Sequence, residues 1–220
     1  SNEFMELIER CIAEPTYDDT WNLIDPHTKE TVRTVSARDL WLKILENRVA
    51  TGEPYMCFID HINDALPETQ KKLGLKVNHS NLCTEITLPT AEDRTAVCCL
   101  SSVNLETYDE WKNDKLFIGD LVRFLDNVLT SFIETAPEHV FRAKFSATQE
   151  RSIGLGAMGF HAYLQKCGIP FESALAKAKN LSIFKYIKAE AVAESKRLAV
   201  KRGEAPDMDG TGMRNAHLLA

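Results

Sequence analysis

Apolar and polar positions alternate along this chain mainly with helical period. Phe4, Leu7, Ile8, Cys11 and Ile12 recur at i, i+3, i+4 spacing and predict an amphipathic helix over residues 3–13, ending before Pro15. Residues 17–34 are polar and turn-rich and predict no element. Ser36, with Asp39 three residues on, reads as an N-cap. The helix it opens carries Leu40, Trp41, Ile44, Leu45 and Val49 as its stripe, and Gly52 and Pro54 stop it. Residues 55–59 form a short apolar and aromatic run expected to be a buried strand, and 61–79 a polar connection. Residues 81–88 alternate and are rich in Thr and Ile, which predicts extended chain. A second compact run, 96–105, follows the charged turn 91–94. Helices are expected over 118–136 and 174–202, the latter closed by Gly203, and 153–166 should begin extended and turn helical. Short strands alternating with helices predict an α/β fold rich in helices.

Composition narrows the class. The 220 residues suffice for one sizeable core or two small ones, with 44% hydrophobic and 26% charged residues. No apolar run approaches the roughly 20 residues of a membrane helix, and no signal peptide opens the chain, so a soluble cytoplasmic protein without a membrane role is expected. A net charge of −6 argues against nucleic acid as partner. The densest basic stretch, Lys196, Arg197, Lys201 and Arg202, sits near a helix end, where dipole complementation accounts for it. Six cysteines without a C-x-x-C pair support neither a disulfide framework nor a zinc ribbon, and His61, His79 and His161 lack metal-ligand spacing, so no metal site is expected. The chain does not open with Met and stops within the apolar run His217-Leu218-Leu219-Ala220, so both ends read as cut.

Three segments carry candidate chemistry. In an extended chain, Asn81, Cys83 and Glu85 line one face and Leu82, Thr84 and Ile86 the other. An amide, a thiol and a carboxyl together need partners. A solvent-facing strand side with an incidental cysteine is the competing reading. In Ala96-Val97-Cys98-Cys99-Leu100 the adjacent cysteines point to opposite faces, so one redox thiol and one packed thiol are expected, because a vicinal disulfide is geometrically awkward. Gly154-Leu155-Gly156-Ala157-Met158-Gly159 matches G-x-G-x-x-G literally. A dinucleotide fingerprint needs a strand before it and an acidic residue closing a second strand, whereas Glu150-Arg151-Ser152 is polar and Glu172 follows Pro170 in a loop. Close packing of a helix start against backbone is the preferred reading. A nucleotide-binding dehydrogenase would rest on that match alone.

The run His79-Ser80-Asn81-Leu82-Cys83-Thr84-Glu85-Ile86 closely resembles the finger-loop motif of class I ribonucleotide reductase large subunits. The spacing to Ala96-Val97-Cys98 and to Leu100-Ser101-Ser102-Val103-Asn104-Leu105 is similar to that family, as are 154–159 and Met213-Arg214-Asn215-Ala216-His217. Cobalamin-dependent relatives show N-P-C-G-E, from which this sequence departs. The resemblance covers essentially the whole chain. It implies a partial catalytic barrel over residues 1–220, part of a ten-stranded α/β barrel whose finger loop (about 79–90) threads the centre, with no complete second domain.

By that resemblance Cys83 is the thiyl radical that abstracts the ribose 3′-hydrogen, Glu85 the base for the 3′-hydroxyl proton, and Asn81 a hydrogen-bonding partner of substrate. Leu82 and Thr84 complete the substrate-binding segment. A closed, dry cavity would raise the carboxyl's pKa to suit proton transfer. Cys98 matches one of two reducing thiols that end as a disulfide. Cys99 should be packing. No residue matches the second thiol, and Cys57 does not fit its context. The loop for the substrate phosphates should follow Ala220. The implied partners are the remaining segments of the large subunit, a small subunit whose metal cofactor supplies the radical, thioredoxin or glutaredoxin, and a ribonucleoside diphosphate. No cofactor is expected in this chain. A non-catalytic barrel remnant acting as scaffold is the alternative.

Overall fold

The computed structural model describes residues 1–218; Leu219 and Ala220, the end of the terminal apolar run, lie outside the described residues. Two units make up the chain, one of residues 1–65 with 79–87, the other of 66–78 with the rest.

In the first unit, α1 (Asn2–Ala13) buries Ile8 and Cys11, and Phe4 meets Trp21 edge-on at 5.1 Å between ring centroids. Residues 17–34 hold a hairpin that the polar sequence did not predict. Its strands, β1 (Thr20–Ile24) and β2 (Thr31–Ser36), pair antiparallel from Thr20 opposite Ser36. Asp25 turns the chain between them, its Oδ1 accepting from the backbone N–H of His27 (2.7 Å) and Thr28 (2.9 Å). Nearly every hairpin residue is at least partly exposed on both faces, so no apolar alternation marks it. The helix α2 (Ala37–Thr51) begins as expected, with the Asp39 N–H donating to Ser36 Oγ at 3.1 Å, and ends at Gly52 with φ +81°. Its predicted stripe is only half-buried and Val49 is exposed. The expected buried strand at 55–59 is absent. Tyr55 and Phe58 are exposed, no ladder pairs the run, and its end enters the short helix α3 (Ile59–Asp64).

The second unit opens with the short helix α4 (Glu68–Lys72), inside what reads as a featureless connection. The strand β3 (Cys99–Asn104) follows, then a 3₁₀ turn and the single-turn helix α5 (Tyr108–Trp111). The long α6 (Phe117–Thr135) presents Ile118, Val122, Leu125 and Leu129 to the core. Next come α7 (Phe141–Glu150), β4 (Ile153–Met158), α8 (Phe160–Lys166) and the 29-residue α9 (Ala174–Arg202). The strands β3 and β4 are parallel, Cys99 opposite Ile153 through Asn104 opposite Met158. A parallel pair requires a crossover, which the intervening helices supply. Both α6 and α9 contribute to one core with the strands, where Ile183, Ile187, Ala191 and Leu198 of α9 are buried. Residues 217–218 run along β4, whose Ile153 N–H donates to the His217 carbonyl at 3.0 Å and Leu155 N–H to that of Leu218 at 3.2 Å. The architecture is α/β and helix-rich, and among the described residues the strands form no closed barrel. No described helix is long and apolar enough to cross a membrane.

Candidate functional site

The segment 80–86 is a closed turn, not a strand. Thr84 donates its N–H to the Asn81 carbonyl at 3.1 Å and sits at φ +69°. The Asn81 side chain works in both directions. Its Oδ1 accepts from the Ile86 N–H at 3.0 Å and its Nδ2 donates to Glu85 Oε1 at 2.7 Å. Ser80 Oγ donates to the Ile86 carbonyl at 2.6 Å, closing the loop. An asparagine that bonds nearby backbone offers the chain an alternative to a ladder, which is why Thr and Ile enrichment misleads here. The expected grouping of Asn81 with Glu85 survives by a different route, through loop closure instead of strand alternation. Cys83 and Leu82 are exposed at the turn's tip, Leu82 at 92%, and Glu85 is exposed as well, not enclosed in a dry cavity. His79 is an exposed loop residue.

Cys98 belongs to the other unit, immediately before β3, where it is half-buried. Along β3 the odd positions Cys99, Ser101 and Val103 are the more buried and the even positions Leu100, Ser102 and Asn104 the exposed ones. Cys99 packs against the main core, and burial pushes its thiol above the ordinary value. Cys98 precedes the first residue of β3, and both cysteines are half-buried.

The glycine run is resolved in favour of packing. Gly154 and Gly156 lie within β4 itself, not in a turn after it, and only Gly159 begins a helix, at φ +75°. A Cβ on Gly159 would stand 2.4 Å from Asn104 Oδ1 and 3.2 Å from the Glu106 amide nitrogen. That side-chain oxygen caps the 3₁₀ turn by accepting from the Glu106 N–H at 3.1 Å. The dinucleotide arrangement, with phosphate seated over glycines between strand and helix, is not built here.

Two buried ionic groups behind these strands escape sequence reading. Arg94, which reads as part of a solvent turn, is buried and bonds Asp207 with both terminal nitrogens (2.5 and 3.3 Å) and Glu150 with one (3.2 Å). Ser146 and Ser152 complete the Glu150 carboxylate at 3.1 and 3.0 Å. Burial still pushes Glu150 above the usual carboxylate range, partly countered by Ser152 and Arg94. Arg94 stands four residues before Cys98. The second group centres on Asp126. Arg151 donates to it from Nε at 2.9 Å, Arg202 from Nη1 at 2.7 Å, and Arg214 Nε lies 3.4 Å away. Burial opposes the charge on Asp126, yet the bonds and charges of Arg151, Arg202 and Arg214 outweigh it and hold the carboxyl below its usual range. Asn215 ties this group to the terminal segment, donating to the Arg151 carbonyl at 2.9 Å and accepting from Ser195 Oγ at 2.9 Å. Glu150, Arg151 and Ser152 lie before β4, outside the strand as their polarity predicts, and are buried because each has partners. Among the described residues no three His, Cys, Asp or Glu side chains converge as a metal-binding group.

A family model described as the ribonucleotide reductase barrel domain matches residues 1–219. A ribonucleoside-diphosphate reductase large subunit of Frog virus 3 (isolate Goorha) is 53% identical over 223 residues, covering 100% of this chain and 38% of that protein. The large subunit of Invertebrate iridescent virus 3 is 50% identical over 200 residues, covering 91% of this chain and 32% of its own length. Among solved structures, the Actinobacillus ureae class Id ribonucleotide reductase alpha subunit aligns with a TM-score of 0.82 at 38% identity, over 97% of this chain and 38% of that one. The chain thus spans well under half the length of the relatives it matches.

Proposed function

The chain belongs to the ribonucleotide reductase barrel-domain family, and from that premise we propose that it forms part of the catalytic centre of a ribonucleoside-diphosphate reductase large subunit. Its fold is part of that family's barrel. In this reading a radical delivered from the metal cofactor of a separate small subunit resides on Cys83. The Cys83 thiyl takes the 3′-hydrogen of the ribose, forming an S–H bond and leaving a carbon radical. Glu85 takes the 3′-hydroxyl proton, and Asn81, bonded to Glu85, orients carboxylate and substrate together. The 2′-hydroxyl leaves as water with a proton from a reducing thiol. Cys98 and a second cysteine, supplied by the rest of the subunit, become a disulfide and contribute the two electrons. Thioredoxin or glutaredoxin then restores the dithiol.

The observation that carries this reading is the turn at 80–86. It places a carboxylate in hydrogen-bond contact with an amide (2.7 Å) while leaving a thiol exposed between them in sequence. A structural turn needs neither the thiol nor the carboxylate, because Asn81 and Ser80 close it with backbone partners alone. The test is reconstitution with polypeptides supplying the rest of a large subunit, a small subunit, a dithiol and a ribonucleoside diphosphate. The chain alone is expected to be silent. In the reconstituted enzyme Cys83→Ser should abolish deoxyribonucleotide formation with the circular dichroism spectrum unchanged, since a hydroxyl cannot hold a radical reversibly against a ribose C–H. Turnover above a few per cent of the parent would refute the assignment.

A further inference from the structure

A groove of about 630 Å³ opens between the first turns of α6 and the C-terminal half of α9, away from the turn at 80–86 and from Cys98 in sequence and in the residues that line it. Its floor is built around Glu194, whose side chain is only 6% exposed. Each carboxylate oxygen holds one guanidinium by its Nε. Arg123 sits at 3.2 Å from Oε1, and Arg197 at 2.6 Å from Oε2. Gly119 permits this close approach, since a Cβ there would stand 3.2 Å from Glu194 Oε2. One buried carboxylate thus pairs with two arginines from two helices.

The lining is cationic on balance. Lys112, Lys115 and Lys201 add to the two arginines, against Glu194 and Glu190. Lys112 has a partner in Asp109 and Arg123 a second one in Asp120, both outside the lining. Lys115 and Lys201 make no ion pair among the described residues, and the terminal nitrogens of Arg197 carry no hydrogen bond there. The basic stretch of α9 therefore divides. Arg202 turns inward to Asp126, while Arg197 and Lys201 face the groove. Dipole complementation explains neither the Glu194 bridge nor the two lysines, Lys112 and Lys115, contributed by the loop before α6. Arg197, fixed by Nε, keeps its outer edge free for the paired donation that phosphate oxygens accept, whereas Arg123 gives Nη2 to Asp120.

We propose that this groove binds a small polyphosphate, an anion of two or more linked phosphate groups. The cations come from both walls, which suits a charge spread along a chain more than a single phosphate. The volume lies within the roughly 300–1,000 Å³ of small-molecule sites. The groove is independent of the thiol chemistry proposed above, so either reading can fail without the other.

The experiment is isothermal titration of the 220-residue chain with sodium tripolyphosphate at low ionic strength, with ATP, orthophosphate and a poly-glutamate peptide as further arms. Tripolyphosphate should bind one to one, more tightly than orthophosphate and more weakly as salt is added. Lys115→Glu with Lys201→Glu should weaken it by at least about tenfold. Lys43→Glu with Lys177→Glu, an equal charge change at exposed lysines off the groove, should leave it within about threefold. Arg197→Lys tests the fork, because it keeps the charge and removes paired donation. ATP binding that shows the same sensitivity to the groove variants supports the site and assigns the phosphates to a nucleoside source; no ATP binding alongside tight tripolyphosphate binding supports it and assigns a free source. No tripolyphosphate binding, equal loss in both double variants, or tighter binding of poly-glutamate would overturn the proposal, the last in favour of an acidic protein segment.

Discussion

Replacing Asp126 by Ala removes the one carboxylate at the centre of three arginines. Asp126 is fully buried, and the side chains of Arg151 and Arg214 are 7% and 13% exposed. Both would be left as buried cations in each other's field, and Arg214 is already held below the usual guanidinium range by burial and by Arg151. Arg202, with its side chain 37% exposed, can turn to water, so its own pair contributes at most about 1 kcal/mol. Breaking a buried pair by removing one partner costs about 3–5 kcal/mol, and two buried cations share this partner, so a loss at the upper end of that range is expected. Asp126→Asn retains an acceptor for Arg151 and should fall between Ala and the parent. Arg214→Met should cost less than Asp126→Ala, because it removes one of the surplus positive charges. The assay is urea unfolding followed by circular dichroism at 222 nm, which reads α6 and α9, with the slope checked for constancy across variants. Loss of Asp126 costing under about 1 kcal/mol, or Arg214→Met costing more than Asp126→Ala, would refute the electrostatic account.

Gly159→Ala should destabilise the chain by about 1–3 kcal/mol, since it combines a left-handed φ with a Cβ 2.4 Å from Asn104 Oδ1; the cost should shrink in an Asn104→Ala background, measured as a double-mutant cycle by thermal unfolding. Cys99→Ala should lower stability by about 1 kcal/mol and spare turnover of the reconstituted enzyme, whereas Cys98→Ser should permit no multiple turnover; a substrate-oxidised disulfide at Cys99, found by peptide mapping, would reverse these roles. His217, bonded to Gln70 Oε1 at 3.3 Å, is pushed by burial from 6.5 down to about 4. The unfolded chain then binds the proton that the folded chain refuses, so stability falls as pH drops from about 6.5 toward 4. Urea midpoints across that window should show this slope in the parent and a reduced one in His217→Gln.

The sequence by itself determined the elements whose burial repeats with one period. The spans of α1 and α6, the Ser36 cap, the Gly52 and Gly203 stops and the strand-to-helix passage at 153–166 follow from local spacing and backbone preference and stand where predicted, whereas Ile12 of the α1 stripe and Phe124 and Val128 of α6 face solvent. The family resemblance was legible in the run from His79 to Ile86 because it rests on residue identities, which do not depend on knowing the backbone. The backbone there was decided by side-chain bonding that the residue pattern does not register. Extended and turned chain suit the same Thr and Ile residues, and the Asn81 side chain bonding to Ile86 and Glu85 selected the turn. The hairpin at 20–36 was hidden for a related reason: exposed on both faces, it is held by pairing between residues apart in the chain and leaves no period in hydrophobicity. Buried charge was the least legible of all. Asp126 meets Arg202 across 76 positions and Arg94 meets Asp207 across 113. Nothing local distinguishes a carboxylate that will be buried with its partners from one that will face water, because the desolvation is offset only by groups the fold brings from elsewhere.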